Sequence, residues 1–223
     1  MDSNIIVDKF KDKFQSSAWK SFIAEFFERS EYEQWHDGIT TWMLKELTEE
    51  ERDAAEQILI YSLKQGGMWA TEGLATINSK KAIPVLKDML KDSIGALRMR
   101  IMDALEKIER SGEYVESLIE EFRTCTYWGD KLEAAMMLRH YPTEEVVDAL
   151  YEGILQEDYL VRYHSAESLL KIHGLVPDIS QHDEIFGCIV DDIKGVKNTK
   201  EEFKRAAELM RDLLKDETFD PYP

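Results

Sequence analysis

Four leucines constrain this chain more than any other feature. Leu74, Leu105, Leu138 and Leu169 recur at separations of 31, 33 and 31 residues. Their surroundings recur with them. Four positions earlier stand Ala70, Ile101, Ala134 and Ser165, and three earlier stand Thr71, Met102, Ala135 and Ala166. Three positions later stand Ile77, Ile108, Tyr141 and Ile172. Small or apolar residues at these offsets share one face of a helix. The stretch Asp158–Gly174, DYLVRYHSAESLLKIHG, is the best-formed copy. A helix that recurs with a partner helix between copies buries its apolar face only by stacking on its neighbours.

The partner helices are legible from their start signals. Thr48 with Glu51 forms a capping box that opens a helix over about 48–65, and Gly66-Gly67 ends it before a second helix over about 68–78. Pro84 fits the first turn of a helix at about 83–91, followed by one over about 95–110. Pairs at 114–124 with 130–140, and at 144–156 with 158–172, complete four copies. Upstream, Phe10, Phe14, Trp19, Phe22, Phe26, Phe27, Tyr32, Trp35 and Trp42 mark an aromatic-rich segment. It reads as helices over about 4–14, 17–34 and 39–46, with the aromatic stripe as core sealing one end of the stack. Downstream, a helix at 183–194, a loop at 194–200, a Thr199/Glu202 capping box, a helix at 200–215 and a fraying tail read as the other end.

The predicted fold is therefore all-α and one domain: a helical cap at 1–46, four helix pairs at 47–176 and a second helical cap at 177–223. Composition agrees, since 43% of the 223 residues are hydrophobic and 33% charged, with only 11 Gly and 5 Pro.

The second helices also resemble those of HEAT repeats. Asp158, Val161-Arg162, Ala166, Leu169 and Ile172 match the Asp, Val-Arg, Ala, Leu and Ile spacing of that family. Asp92, Leu97-Arg98, Leu105 and Ile108 repeat it, Lys131 replaces the arginine in the third copy, and Gly67 replaces it in the first. The resemblance implies a right-handed α-α superhelix over residues 47–176. It also implies that Arg98, Lys131 and Arg162 stitch neighbouring repeats, with Asp92 and Asp158 as partners, and that the second helices line a concave surface.

On that surface, two positions before the anchor leucine, lie Glu72, Asp103, Met136 and Glu167. Five positions before it lie Trp69, Arg100, Glu133 and His164, and six before it lie Met68, Met99, Leu132 and Tyr163. Carboxylates interleaved with Met, Trp and Tyr are the chemistry of a protein-binding face, in which apolar anchors sit inside a charged rim. Packing of the marginal row between repeats, or solubility alone, accounts for the same residues without a partner.

Charge narrows the partner. The net charge is −17, from 45 acidic and 28 basic residues, which disfavours nucleic acid and anionic membrane and favours a basic protein. His36, His140, His164, His173 and His182 form no metal-ligand spacing, and no phosphate-binding glycine motif or nucleophile elbow occurs. The two cysteines, Cys125 and Cys188, carry no motif and read as reduced thiols. The first residues contain no apolar run of signal-peptide length, so the cytoplasm is the expected location. The expectation is a non-enzymatic interaction module without cofactor or metal. It would bind a basic protein through an acidic concave face, as an immunity protein or other inhibitor does; a general scaffold or adaptor is the alternative. Trp128-Gly129-Asp130 invites comparison with HEAT-like DNA-alkylation-repair glycosylases, but such enzymes need a basic groove.

Overall fold

The computed structural model describes residues 4–190, 198–215 and 217, and among them there are thirteen α-helices and no strand. The chain divides into two compact units, Met1–Gly112 and Glu113–Pro223.

The first unit begins with α1 (Asn4–Phe10) and α2 (Ser17–Ile23), the latter running into a π-helical turn at Ala24–Glu28. The aromatic stripe is core here. Trp19 and Phe22 are fully buried, their ring centroids are 5.3 Å apart, and Phe26 lies 5.2 Å beyond Phe22. The single helix predicted over 17–34 is divided, because Ser30 and Glu33 form a capping box that starts a new helix, α3 (Glu31–Asp37). The helix predicted at 39–46 is a 3-10 turn, Trp42–Lys45. Tyr32, Trp35 and Trp42, outside the buried stripe, are 75%, 68% and 54% exposed.

Next come α4 (Glu49–Lys64), α5 (Ala70–Thr76), α6 (Ile83–Leu90) and α7 (Gly95–Glu109). The Thr48/Glu51 box caps α4 as predicted. The helices pack as α4 on α5, α6 on α7, and α5 on α7.

The second unit contains α8 (Glu113–Thr124), α9 (Trp128–Leu138), α10 (Glu144–Ile154) and α11 (Tyr159–Ile172). α12 (Asp183–Ile189) and α13 (Lys200–Leu214) follow, with the Thr199/Glu202 box capping α13. α8 packs on α9, α10 on α11, α9 on α11, and α12 on α13, while α13 also leans on α10. The end of the helix predicted at 183–194, most of the loop at 194–200 and nearly all of the C-terminal tail lie outside the described residues.

The four anchor leucines are all fully buried, and so are Ile101, Ala134, Ser165, Ala135 and Ala166 beside them. The periodic face read from the sequence is thus the packed face of α5, α7, α9 and α11.

Candidate functional site

The eleven residues expected on the binding face fall into two clusters, one in each unit. In the first unit, Trp69 ends the turn before α5, and the Arg100 guanidinium from α7 lies 3.9 Å from its ring centroid. One turn along α7, Asp103 Oδ2 is 2.7 Å from Lys107 Nζ. Asp103 is itself buried, and Glu72 and Met68 are half-buried. Met99 does not join a surface row, because at 1% exposure it belongs to the core. Glu72 and Asp103 are therefore held within a cation–carboxylate cluster and do not stand out from a groove as free acids.

Burial pushes the Glu72 carboxyl above its ordinary value, Asp103 adds to the rise, and Lys107 and Arg100 oppose it. Folded Glu72 thus takes up its proton at a higher pH than it does unfolded. Between its unfolded and folded values the native state holds more protons, so stability falls as pH rises through that window. Glu72→Gln should accordingly be more stable than the parent at neutral pH and show a flatter stability–pH curve above about pH 4.5. Urea unfolding at several pH values measures this. A variant less stable at neutral pH would mean that attraction to Lys107 and Arg100 outweighs desolvation.

In the second unit, His164 Nδ1 lies 3.2 Å from Glu167 Oε2 on α11. Arg139 approaches from the end of α9, its Nε donating to Ser168 Oγ at 3.2 Å, while its buried Nη2 has no hydrogen-bond partner. Burial drives the His164 imidazole below its ordinary value, Glu167 pulls it up, and Arg139 pushes it down. Tyr163 meets the His164 ring edge-on at 5.2 Å and Phe186 of α12 at 6.5 Å. Its phenol is raised, by burial first and then by Glu167. Glu133 is half-buried, and Met136 is 39% exposed. Of the five predicted residues here, Met136 alone is an open apolar contact; Tyr163, His164 and Glu167 form a packed polar cluster.

A group of open apolar side chains in this unit was not in the predicted set. Tyr127, Trp128, Leu155 and Tyr159 are 51%, 44%, 46% and 41% exposed. Tyr127 and Trp128 open α9 with ring centroids 5.7 Å apart, and Leu155 and Tyr159 bracket the turn between α10 and α11. Lys131 Nζ donates to Gln156 Oε1 at 3.3 Å, which ties the first turn of α9 to that turn and makes one edge of the two. Asp130, half-buried, and Glu157, whose Oε1 lies 3.2 Å from Lys200 Nζ, are its carboxylates. The signal in the sequence was positional: each of these apolar residues lies off the −4, −3, 0, +3 stripe, at the mouth of a helix.

Two arginines of the row expected to stitch the repeats donate to backbone carbonyls. Arg98 donates to Leu90 O at 3.0 Å. Arg162, fully buried, donates to the carbonyls of Gln156, Glu157 and Ile189 at 2.9, 2.8 and 2.9 Å, and its guanidinium lies 3.9 Å from the Phe203 ring centroid. Asp158 caps α11, accepting from the amides of Leu160 and Val161.

Among the described residues no three His, Cys, Asp or Glu side chains gather as a metal cluster, and no helix is long and apolar enough to cross a membrane. An open depression of about 610 Å³ is lined by Lys64, Pro84, Val85, Lys87, Asp88, Met89 and Lys91. Two of its lysines already pair with carboxylates, Lys87 with Glu109 at 2.9 Å and Lys91 with Asp88 at 3.0 Å. Comparison with protein-family models, with curated proteins and with solved structures finds no match in any of the three.

Proposed function

We propose that the chain is a non-enzymatic interaction module, a HEAT-like α-solenoid that binds a basic protein partner. The observation that carries this reading is the open edge of the second unit. Four large apolar side chains there, Tyr127, Trp128, Leu155 and Tyr159, are exposed around the mouths of two packed helices. Aromatic residues held on a rigid scaffold, with carboxylates beside them, are the usual anchors of a protein interface. The net charge of −17 steers a basic partner toward such a surface and repels polyanions. The register of buried residues at thirty-odd spacing supports the solenoid reading. An inhibitor of a basic toxin, such as a nuclease, is the form of this function that best fits the chain's size and charge.

Affinity capture from the native cell followed by cross-linking identifies the partner. The double variant Trp128→Ala/Tyr159→Ala should then weaken the purified complex by about 2 kcal/mol or more, roughly 30-fold, at a temperature where thermal unfolding shows the variant still folded. Binding should also weaken with salt. An unchanged affinity in the double variant rejects the edge as the interface.

A further inference from the structure

A second surface, in the first unit, lies outside the reading above. α3 buries one residue, and that residue is polar. Gln34, its one buried residue, donates to the carbonyls of Glu25 and Phe26, both at 3.1 Å. Arg29 donates to Glu25 Oε1 at 2.7 Å, to Gly38 O at 2.9 Å and to Glu33 O at 2.8 Å. The Thr40 amide returns to Glu25 Oε1 at 2.8 Å. Ser30 and Glu33 cap the start, and Gly38 closes the end at φ +69°.

This inverts the usual arrangement. A surface helix normally docks through its apolar residues and exposes its polar ones. Here Tyr32 and Trp35 point outward at 75% and 68% exposure, and Trp42 in the following turn is 54% exposed. Tyr32 is stacked on His36, with centroids 5.8 Å apart and planes 23° apart, so part of the aromatic face is already ordered.

Their surroundings select the occupant. Glu28, Glu31, Glu33 and Asp37 are all exposed on this part of the chain, with Asp37 Oδ2 also 3.2 Å from Arg29 Nη2. The hydrogen bond from Ser30 holds Glu33 below its ordinary value, and that from His36 does the same for Asp37, so both remain ionised. Phosphates and anionic lipid headgroups are repelled by this arrangement. A second copy of the chain would bring like charges together. An arginine or lysine side chain gains both an aromatic face and a carboxylate. We propose that the outer face of α3, with Tyr32 and Trp35 as anchors, is a docking surface for an arginine- and lysine-rich protein segment.

The test titrates the full chain with an oligo-arginine peptide by calorimetry at low and high salt. Tyr32→Ala/Trp35→Ala leaves the net charge unchanged, so it separates this face from the general attraction of an acidic protein. It should lower the affinity about tenfold while leaving the melting temperature unchanged, because both side chains are exposed. Glu31→Lys should weaken binding as well. Trp128→Ala/Tyr159→Ala should leave it as in the parent, so failure here and failure of the second-unit edge are read separately. Equal affinities in the Tyr32→Ala/Trp35→Ala variant and the parent overturn the proposal, as does the absence of measurable binding. Dimerisation of the parent, or its binding to phosphatidylserine vesicles, also overturns it if Trp35→Ala abolishes either one, since the face then belongs to a second copy or to lipid.

Discussion

Arg162→Met should destabilise the second unit by about 3–5 kcal/mol, a large share of the stability of a unit this size. The side chain is fully buried, and its guanidinium reaches three carbonyls on two segments: Gln156 and Glu157 in the turn before α11, and Ile189 at the end of α12. Methionine fills a similar volume but donates nothing, so these oxygens lose a charged donor inside the fold. The contact with the Phe203 ring is lost as well. Arg162→Lys should recover only part of the loss, because a single ammonium does not reproduce the planar fork. Urea unfolding followed by circular dichroism measures both variants. A loss under about 1 kcal/mol would show that other donors take over these carbonyls. The same substitution should loosen the turn that carries Leu155 and Tyr159, so partner affinity should fall along with stability.

Gly153→Ala should cost about 2 kcal/mol, although alanine is the better helix former by about 1 kcal/mol. A Cβ at this position in α10 would lie 2.1 Å from Ser165 Oγ, 2.8 Å from Ser165 Cβ and 2.8 Å from Phe122 Cζ. α10 and α11 pack this closely only because Gly153 has no side chain. Ser165 Oγ is buried and has no hydrogen-bond partner, so removing it forfeits no hydrogen bond. Ser165→Ala should therefore be neutral or stabilising alone, and in that background Gly153→Ala should cost about 1 kcal/mol less. Additive losses in the double variant would place the strain on Phe122 and on the Cβ of residue 165, which the double variant retains.

The helices were legible because their signals are local. The Thr48/Glu51 and Thr199/Glu202 boxes each satisfy amides within one turn, and the structure bears out both. The Ser30/Glu33 box obeys the same rule and lay in plain view, yet the sequence reading ran one helix over about 17–34. Helical spacing marked the buried stripe through Phe22, Ile23 and Phe26 and was silent on the residues after it. The polar clasp of Gln34 and Arg29 turns Tyr32 and Trp35 outward, and such a clasp depends on carbonyls of another element that no residue pattern names.

The candidate site was legible to a smaller degree. Helical offsets correctly grouped Trp69 with Arg100 across α5 and α7, and His164 with Glu167 on α11. They gave no measure of depth. Met99 and Asp103 share the proposed surface rows with exposed residues, yet Met99 is core and Asp103 is buried beside Lys107. How far a side chain at the edge of a stripe is covered depends on how closely the next helix approaches.

By itself, then, the sequence determined the helical class, the phase of each repeated face and the sign of the charge. Periodic burial, capping and composition are properties of short stretches and of sums. Only the tertiary structure decided which aromatics are open, which carboxylates are locked in pairs, and that Arg162 clasps carbonyls. Each of these depends on the distance between residues far apart in the chain, from Arg162 to Ile189 or from Lys131 to Gln156, and packing sets that distance.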